Sequence, residues 1–233
     1  VKVGITLPQF REEAAPAFEA ARLAEEAGLD GLFVFDHLWP IGRPDRPALH
    51  LLPLLGALAV ETERIAVGSL MARIGLFPDV VLVNALHTAA RMAGEGRFIA
   101  GLGVGDRLSR EENEAFGVPF APVAERVASL VTCCRELRAV GVPVWVGGRS
   151  IAVQEVAVAE ADALNLWQAP VPEVAARRGT EVTWAGQVRP EDDIAGLLAG
   201  LAEADATWAV CAPAGWEWPD AVDRIAKAAV SST

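Results

Sequence analysis

Short apolar runs alternate with stretches of helical period eight times along this 233-residue chain, and few folds accept that order. A strand followed each time by a helix feeds a parallel sheet that those helices must cover. The apolar runs are Val1 to Leu7, Gly31 to about Asp36, Ile65 to Met71, Arg97 to Asp106, Pro143 to Val146, Ala163 to Trp167, Glu181 to Trp184 and Thr207 to Cys211. Helical periodicity occupies Glu12–Ala27, Leu51–Glu61, Pro78–Met92, Glu111–Gly117 and Val123–Val140. It resumes at Ile151–Glu160, Pro172–Arg178, Glu191–Ala202 and Asp220–Val230. Eight units predict an α/β fold: one (β/α)8 barrel over residues 1–233, with a shortened second half. An open doubly wound sheet is the alternative, and it explains eight units less well because such sheets usually stop at about five or six strands.

Composition limits the partners. An apolar content of 52% can fill a large core, and no Pro/Gly/Ser-rich linker divides the chain, so a single domain is expected. The net charge of −11 is spread over helix faces, which argues against nucleic acid or an anionic membrane surface as a partner. No apolar run approaches about 20 residues and no signal-like segment opens the chain, so a soluble, cytoplasmic protein acting on a small molecule is expected. Three cysteines, with Cys133 and Cys134 adjacent, suit neither a disulfide framework nor zinc; they read as small core residues, and no metal is expected.

In a barrel every strand's carboxyl end reaches one rim, where the chemistry of such folds sits. Asp36-His37, Ser69-Leu70-Met71, Gly103 to Asp106, Gly147-Gly148-Arg149-Ser150 and Trp167-Gln168 would then face one mouth. An imidazole can give or take a proton near neutral pH, so His37 is the candidate acid or base, with Asp36 orienting its ring or contacting a cofactor; a turn cap and a surface histidine would look the same in sequence. Gly147 to Ser150 precede a helix, so their N–H groups and Arg149 could meet a phosphate, although a tight turn with a serine cap has the same pattern. Gly103 and Gly105 lack the spacing of a dinucleotide loop, and close approach of a planar ring to the backbone is the favoured reading. Trp39 and Trp167 are placed at the mouth as substrate-pocket residues. Tryptophans within strands read as core, and His50 and His87 as structural.

Leu7-Pro8-Gln9, Asp36-His37-Leu38, Arg97-Phe98 with Gly101-Leu-Gly-Val-Gly105, Phe116-Gly-Val-Pro-Phe120 and Pro143-Val-Trp-Val-Gly-Gly-Arg-Ser150 closely resemble the bacterial luciferase-like superfamily. They are nearest to its deazaflavin (F420)-dependent oxidoreductase branch, and the resemblance covers about Val1 to Gln168. It implies a barrel holding F420, or alternatively FMN, at the rim, with hydride transfer to or from a small organic substrate. It also implies a bulged third strand with a non-prolyl cis peptide at Ser69-Leu70, ring contacts from Ser69, Leu70 and Met71, a phosphate contact at Gly147 to Ser150, and a homodimer formed through the second and third helices. The chain departs from the family in having Ala72-Arg73 after the bulge, a short segment before Pro78, and no long insertion in its second half. An FMN-dependent monooxygenase and a ligand-binding barrel without turnover are the two alternatives.

Overall fold

The computed structural model describes residues 1–231; Ser232 and Thr233, the end of the expected domain, lie outside the described residues. The strands are β1 (Lys2–Thr6), β2 (Gly31–Val34), β3 (Ala66–Ser69), β4 (Ala72–Arg73), β5 (Phe98–Gly103), β6 (Val144–Gly147), β7 (Ala163–Trp167), β8 (Glu181–Val188) and β9 (Trp208–Pro213). All pair in parallel, β9 closes onto β1, and β3 and β4 both pair with β5. The short β4 therefore continues β3, eight strand positions close the ring, and the structure is a (β/α)8 barrel rather than an open sheet.

Helices α1 (Ala15–Glu26), α2 (Leu51–Glu61), α3 (Asp79–Ala93), α4 (Arg107–Ala115), α5 (Val123–Ala139), α6 (Ile151–Glu160), α7 (Val171–Ala175), α8 (Ile194–Glu203) and α9 (Trp218–Ser231) form the outer layer. Small faces let them lie close: Ala17, Ala20, Ala21 and Ala24 are the buried residues of α1. Among the described residues no helix is long and apolar enough to cross a membrane. Cys133, Cys134 and Cys211 are free and buried, and burial pushes each thiol up to about 12, as expected of small core residues.

Two departures from the sequence pattern shape the mouth. The second strand was expected to run to about Asp36 but ends at Val34, because a side chain takes over the ladder. Gln9, fully buried, accepts from Phe35 N–H through Oε1 at 2.7 Å and donates from Nε2 to Phe35 O at 2.9 Å. The third strand was expected to be continuous, yet it breaks between Ser69 and Ala72. Gly68 pairs with Ile99 and Ala72 with Leu102, four steps against three, so one extra residue bulges out. The cis peptide lies at Leu70–Met71, one residue beyond the expected Ser69-Leu70.

The barrel interior is packed, not hollow. Phe33 stacks on Trp145 with centroids 5.2 Å apart and meets the edge of Trp208 at 5.8 Å. A Cβ at Gly4, Gly31 or Gly68 would come within 2.7, 2.7 and 2.8 Å of the Phe33 ring, so glycines on three neighbouring strands make room for one phenylalanine. This plug closes the barrel from below and leaves the carboxyl rim as the open end.

Candidate functional site

Above the plug opens a cavity of about 1240 Å³. That exceeds the roughly 300–1,000 Å³ of a pocket for one small ligand, so two ligands have room to lie side by side. Asp36, His37, Leu70, Met71 and Trp167 line it, as do Gly103 and Gly105 and the run Gly147, Gly148, Arg149, Ser150.

Asp36 and His37 follow β2 and point to different partners. Asp36 is buried, and its Oδ2 accepts from Arg73 N–H at 2.7 Å, so it anchors the strand after the bulge instead of orienting His37. Burial raises its carboxyl above the ordinary value, against the lowering effect of that N–H and of the Arg73 charge. The orienting group of His37 is Glu112 on α4, whose Oε1 lies 2.7 Å from Nδ1. Glu112 is 1% exposed; Leu38 N–H donates to its Oε2 at 3.0 Å, and Arg73 Nη2 lies 3.1 Å from the same oxygen. Burial alone would push the Glu112 carboxyl up, but the His37 hydrogen bond, the Leu38 N–H and the Arg73 charge outweigh it and hold it below the ordinary value. An ionised carboxylate only accepts, so Nδ1 carries the proton and donates. Nε2 makes no hydrogen bond among the described residues, and a side chain that is 23% exposed leaves the ring open to the cavity.

Arg73 holds this cluster together. It is 3% exposed, donates from Nη1 to Ser109 O at 3.4 Å, and meets Asp36 through its backbone N–H and Glu112 through its guanidinium; its Nε has no hydrogen-bond partner among the described residues. Nη2 approaches Glu112 at ion-pair distance but off hydrogen-bond angle, so the attraction is that of charge. Behind it Arg126 on α5 donates to the carbonyls of Val104 and Gly105, and its guanidinium lies 4.0 Å over the Phe120 ring. That clamp fixes the rim loop from which α4 starts.

The glycine rim receives a protein side chain. A Cβ at Gly103 would meet Met71 Cβ at 3.1 Å and one at Gly147 would meet Met71 Cγ at 2.7 Å, while one at Gly101 would strike the Ser69 carbonyl. The close approach expected of a planar ring is therefore made by Met71, whose side chain lies against the glycines of β5 and β6. Gly105 has φ +69, and a Cβ there would come within 3.0 Å of Arg73 Cδ. At the start of α6 the Ser150 side chain accepts from Val153 N–H, as a helix cap. The N–H groups of Gly148 and Arg149 make no hydrogen bond among the described residues. Arg149 itself is exposed and paired to Glu173 at 2.8 Å.

Two expected site residues lie elsewhere. Ser69 is fully buried and donates to Gly101 O at 2.7 Å, so it belongs to the wall of the bulge. Trp39 is outside the cavity and stacks on Phe116 with centroids 5.9 Å apart.

A model of the luciferase-like monooxygenase family matches residues 2–140, more than half of the chain. The chain belongs to that family. Over 130 residues it is 38% identical to an F420-dependent glucose-6-phosphate dehydrogenase of Beutenbergia cavernae, a match covering 54% of this chain and 36% of the relative. The chain thus spans about a third of the length of the curated relatives it matches. Among solved structures it is similar to an F420-dependent secondary alcohol dehydrogenase bound to an F420-acetone adduct, with a TM-score of 0.82 at 13% identity and full coverage of both chains. It is also similar to the coenzyme F420-dependent tetrahydromethanopterin reductase from Methanopyrus kandleri, with a TM-score of 0.72 at 11% identity and 97% coverage of each. At these identities the likeness to solved structures is one of fold.

Glu112 was not singled out by the sequence, Gln9 was named only within a family motif and given no role, and Arg73 was noted only as a departure from the family pattern. One signal for Glu112 was available. Asp106 and Ser109 form a capping box, each side chain meeting the other's backbone N–H, and this starts α4 at Arg107 rather than at the expected Glu111. A helix that starts there carries Glu112 in its middle, as one of its buried residues.

Proposed function

We propose that this chain is an oxidoreductase that moves a hydride between the deazaflavin F420 and a small organic substrate, with His37 handling the accompanying proton. The observation that carries this reading is the His37–Glu112 pair at the mouth: an imidazole held through Nδ1, with Nε2 turned to a cavity large enough for two ligands. The names of the curated relatives favour F420 as the partner.

The residues present fit such a group. The free N–H groups of Gly148 and Arg149 lie beside the start of α6, where the helix dipole favours an anionic tail. Leu70 and Met71 offer an apolar floor for a planar ring. When bound, the deazaflavin supplies a carbon that accepts or releases a hydride. The protein's own tasks are then orientation, exclusion of water and proton handling. Glu112 keeps the proton on Nδ1, so Nε2 can take a proton from a substrate hydroxyl or return one to a forming alkoxide. Arg73 neutralises Glu112 and keeps the pair ionised in a buried setting.

The family's own description favours a second reading, an FMN-dependent monooxygenase. Absorption titration of the purified protein, separately with F420 and with FMN, tests both. Micromolar binding of F420 with a perturbed ring spectrum is expected, and preference for FMN would give the site to the monooxygenase reading. Binding of neither at high micromolar concentration would remove the enzyme reading and leave a barrel without turnover.

A further inference from the structure

The mouth is chemically divided. From the end of β7 round through β9 to the ends of β1 and β2 it presents rings: Trp167, Trp216, Trp218, Phe10 and Phe35, each only partly buried and each lining the cavity. Phe10 and Phe35 stack at 6.1 Å and 13°, and Trp167 sets its ring at 78° to Phe35 with centroids 5.6 Å apart. The Trp216 indole N–H is already spent on Val188 O at 3.0 Å, and the Arg224 guanidinium lies 5.4 Å from its ring centroid. The anion-accepting N–H groups of Gly148 and Arg149 are at the end of β6, on the other part of the rim.

We infer that the substrate is a planar aromatic molecule stacked on this wall beside His37. The inference rests on the oxidoreductase reading and adds the substrate class to it. A sugar phosphate would need cationic and hydroxyl-pairing groups on the same wall, and some of the polar side chains there are engaged with the protein. Asn165 donates to Thr183 Oγ1 at 2.9 Å, Arg46 to Phe10 O at 3.3 Å, and Arg149 is paired to Glu173. Arg11, Gln168 and Gln187 line the cavity without a side-chain partner among the described residues, and Arg46 is paired to no carboxylate there. The charge beside the reacting group also opposes an anion: Asp36 and Glu112 bring two carboxylates near His37 against one guanidinium, that of Arg73. Aromatic rings packed edge to face or offset favour another ring in the same geometry.

Calorimetric titration of the full chain with 2-naphthol and with glucose 6-phosphate, each with and without saturating F420, tests the inference. Binding of 2-naphthol in the presence of F420, and none of glucose 6-phosphate at equal concentration, is the expected result. Trp167 is 36% exposed, so Trp167→Ala should fold. It should weaken 2-naphthol about tenfold, or about 1.4 kcal/mol, through the loss of a stacking partner and its contact area. Trp167→Phe should recover most of that affinity, and F420 affinity should be unchanged in both. The inference is overturned if glucose 6-phosphate binds as tightly as 2-naphthol, if F420 displaces 2-naphthol, or if Trp167→Ala has no effect. If 2-naphthol binds but F420 does not, the oxidoreductase reading falls and the substrate assignment with it, whereas F420 binding without 2-naphthol removes the substrate class alone.

Discussion

Between the ends of β2 and β5 the mouth keeps its charge out of water, in a connected cluster of Asp36, Arg73, Glu112 and half-buried His37. From β7 round to β1 it has no such cluster among the described residues and shows half-buried or exposed rings instead. The first part lies within the stretch that matches the family; β7 to β9 lie beyond residue 140. The buried cluster tolerates little change, because each member compensates another. The aromatic arc has Phe10, Phe35 and Trp167 in ring contact and no ion pair among its members, so it can vary while the chemistry beside it stays fixed.

Substitutions in the two parts should therefore differ most in stability. Arg73→Met leaves the buried Glu112 carboxylate without its cation, and breaking a buried pair costs about 3–5 kcal/mol. Trp167→Ala, at a partly exposed ring, should cost about 1 kcal/mol or less. Urea unfolding of both measures the contrast, and equal losses would break it.

Next in size is turnover. His37→Ala should lower the rate with any competent substrate by about 10²- to 10⁴-fold with F420 affinity little changed, as expected of a positioned acid or base. Glu112→Gln should lower it less, since an amide can still meet Nδ1 but does not favour the imidazolium. Single-turnover rates at saturating F420 distinguish the two.

A smaller effect separates the two carboxylates by the sign of their pH dependence. Burial raises Asp36 above 3.8, so the folded state binds that proton first. Stability of the wild type relative to Asp36→Asn should rise as the pH falls through the raised folded value, and level off below 3.8. Glu112 is held below 4.5 in the folded state. The stability it contributes is complete above 4.5 and is lost as the pH falls through its folded value. Denaturant midpoints of wild type, Asp36→Asn and Glu112→Gln between neutrality and acid show whether the signs oppose. Smallest of all, Arg149→Ala breaks an exposed pair with Glu173, worth about 0–1 kcal/mol, and should weaken F420 modestly and less so at high salt.

The barrel was legible because alternation of strand and helix period is written locally, and α2 and α6 begin and end at the residues the periodicity marks. His37 was legible as a titratable group at a strand end. Its partner was not, because Glu112 is 75 positions away and only closure of the barrel brings α4 over β2. The glycines at 103 and 147 were readable as sites of close approach, but a pattern cannot tell a ligand ring from Met71. Trp39 illustrates the same limit: position late on a strand placed it at the mouth, and its stacking on Phe116 draws it away. The bulge was expected from the family likeness, with its cis peptide one residue off.

The tautomer of His37 bears most directly on the claim that Glu112 prepares it for proton transfer. Long-range nitrogen-proton correlation spectra of the imidazole, recorded at a pH where the ring is neutral, report which nitrogen holds the proton. With Glu112 in place the proton should sit on Nδ1 and Nε2 should be bare; in Glu112→Gln, where the amide can accept or donate, the tautomers should mix. A wild-type ring protonated on Nε2, or a spectrum unchanged by Glu112→Gln, would contradict the assignment of Glu112 as the group that orients His37.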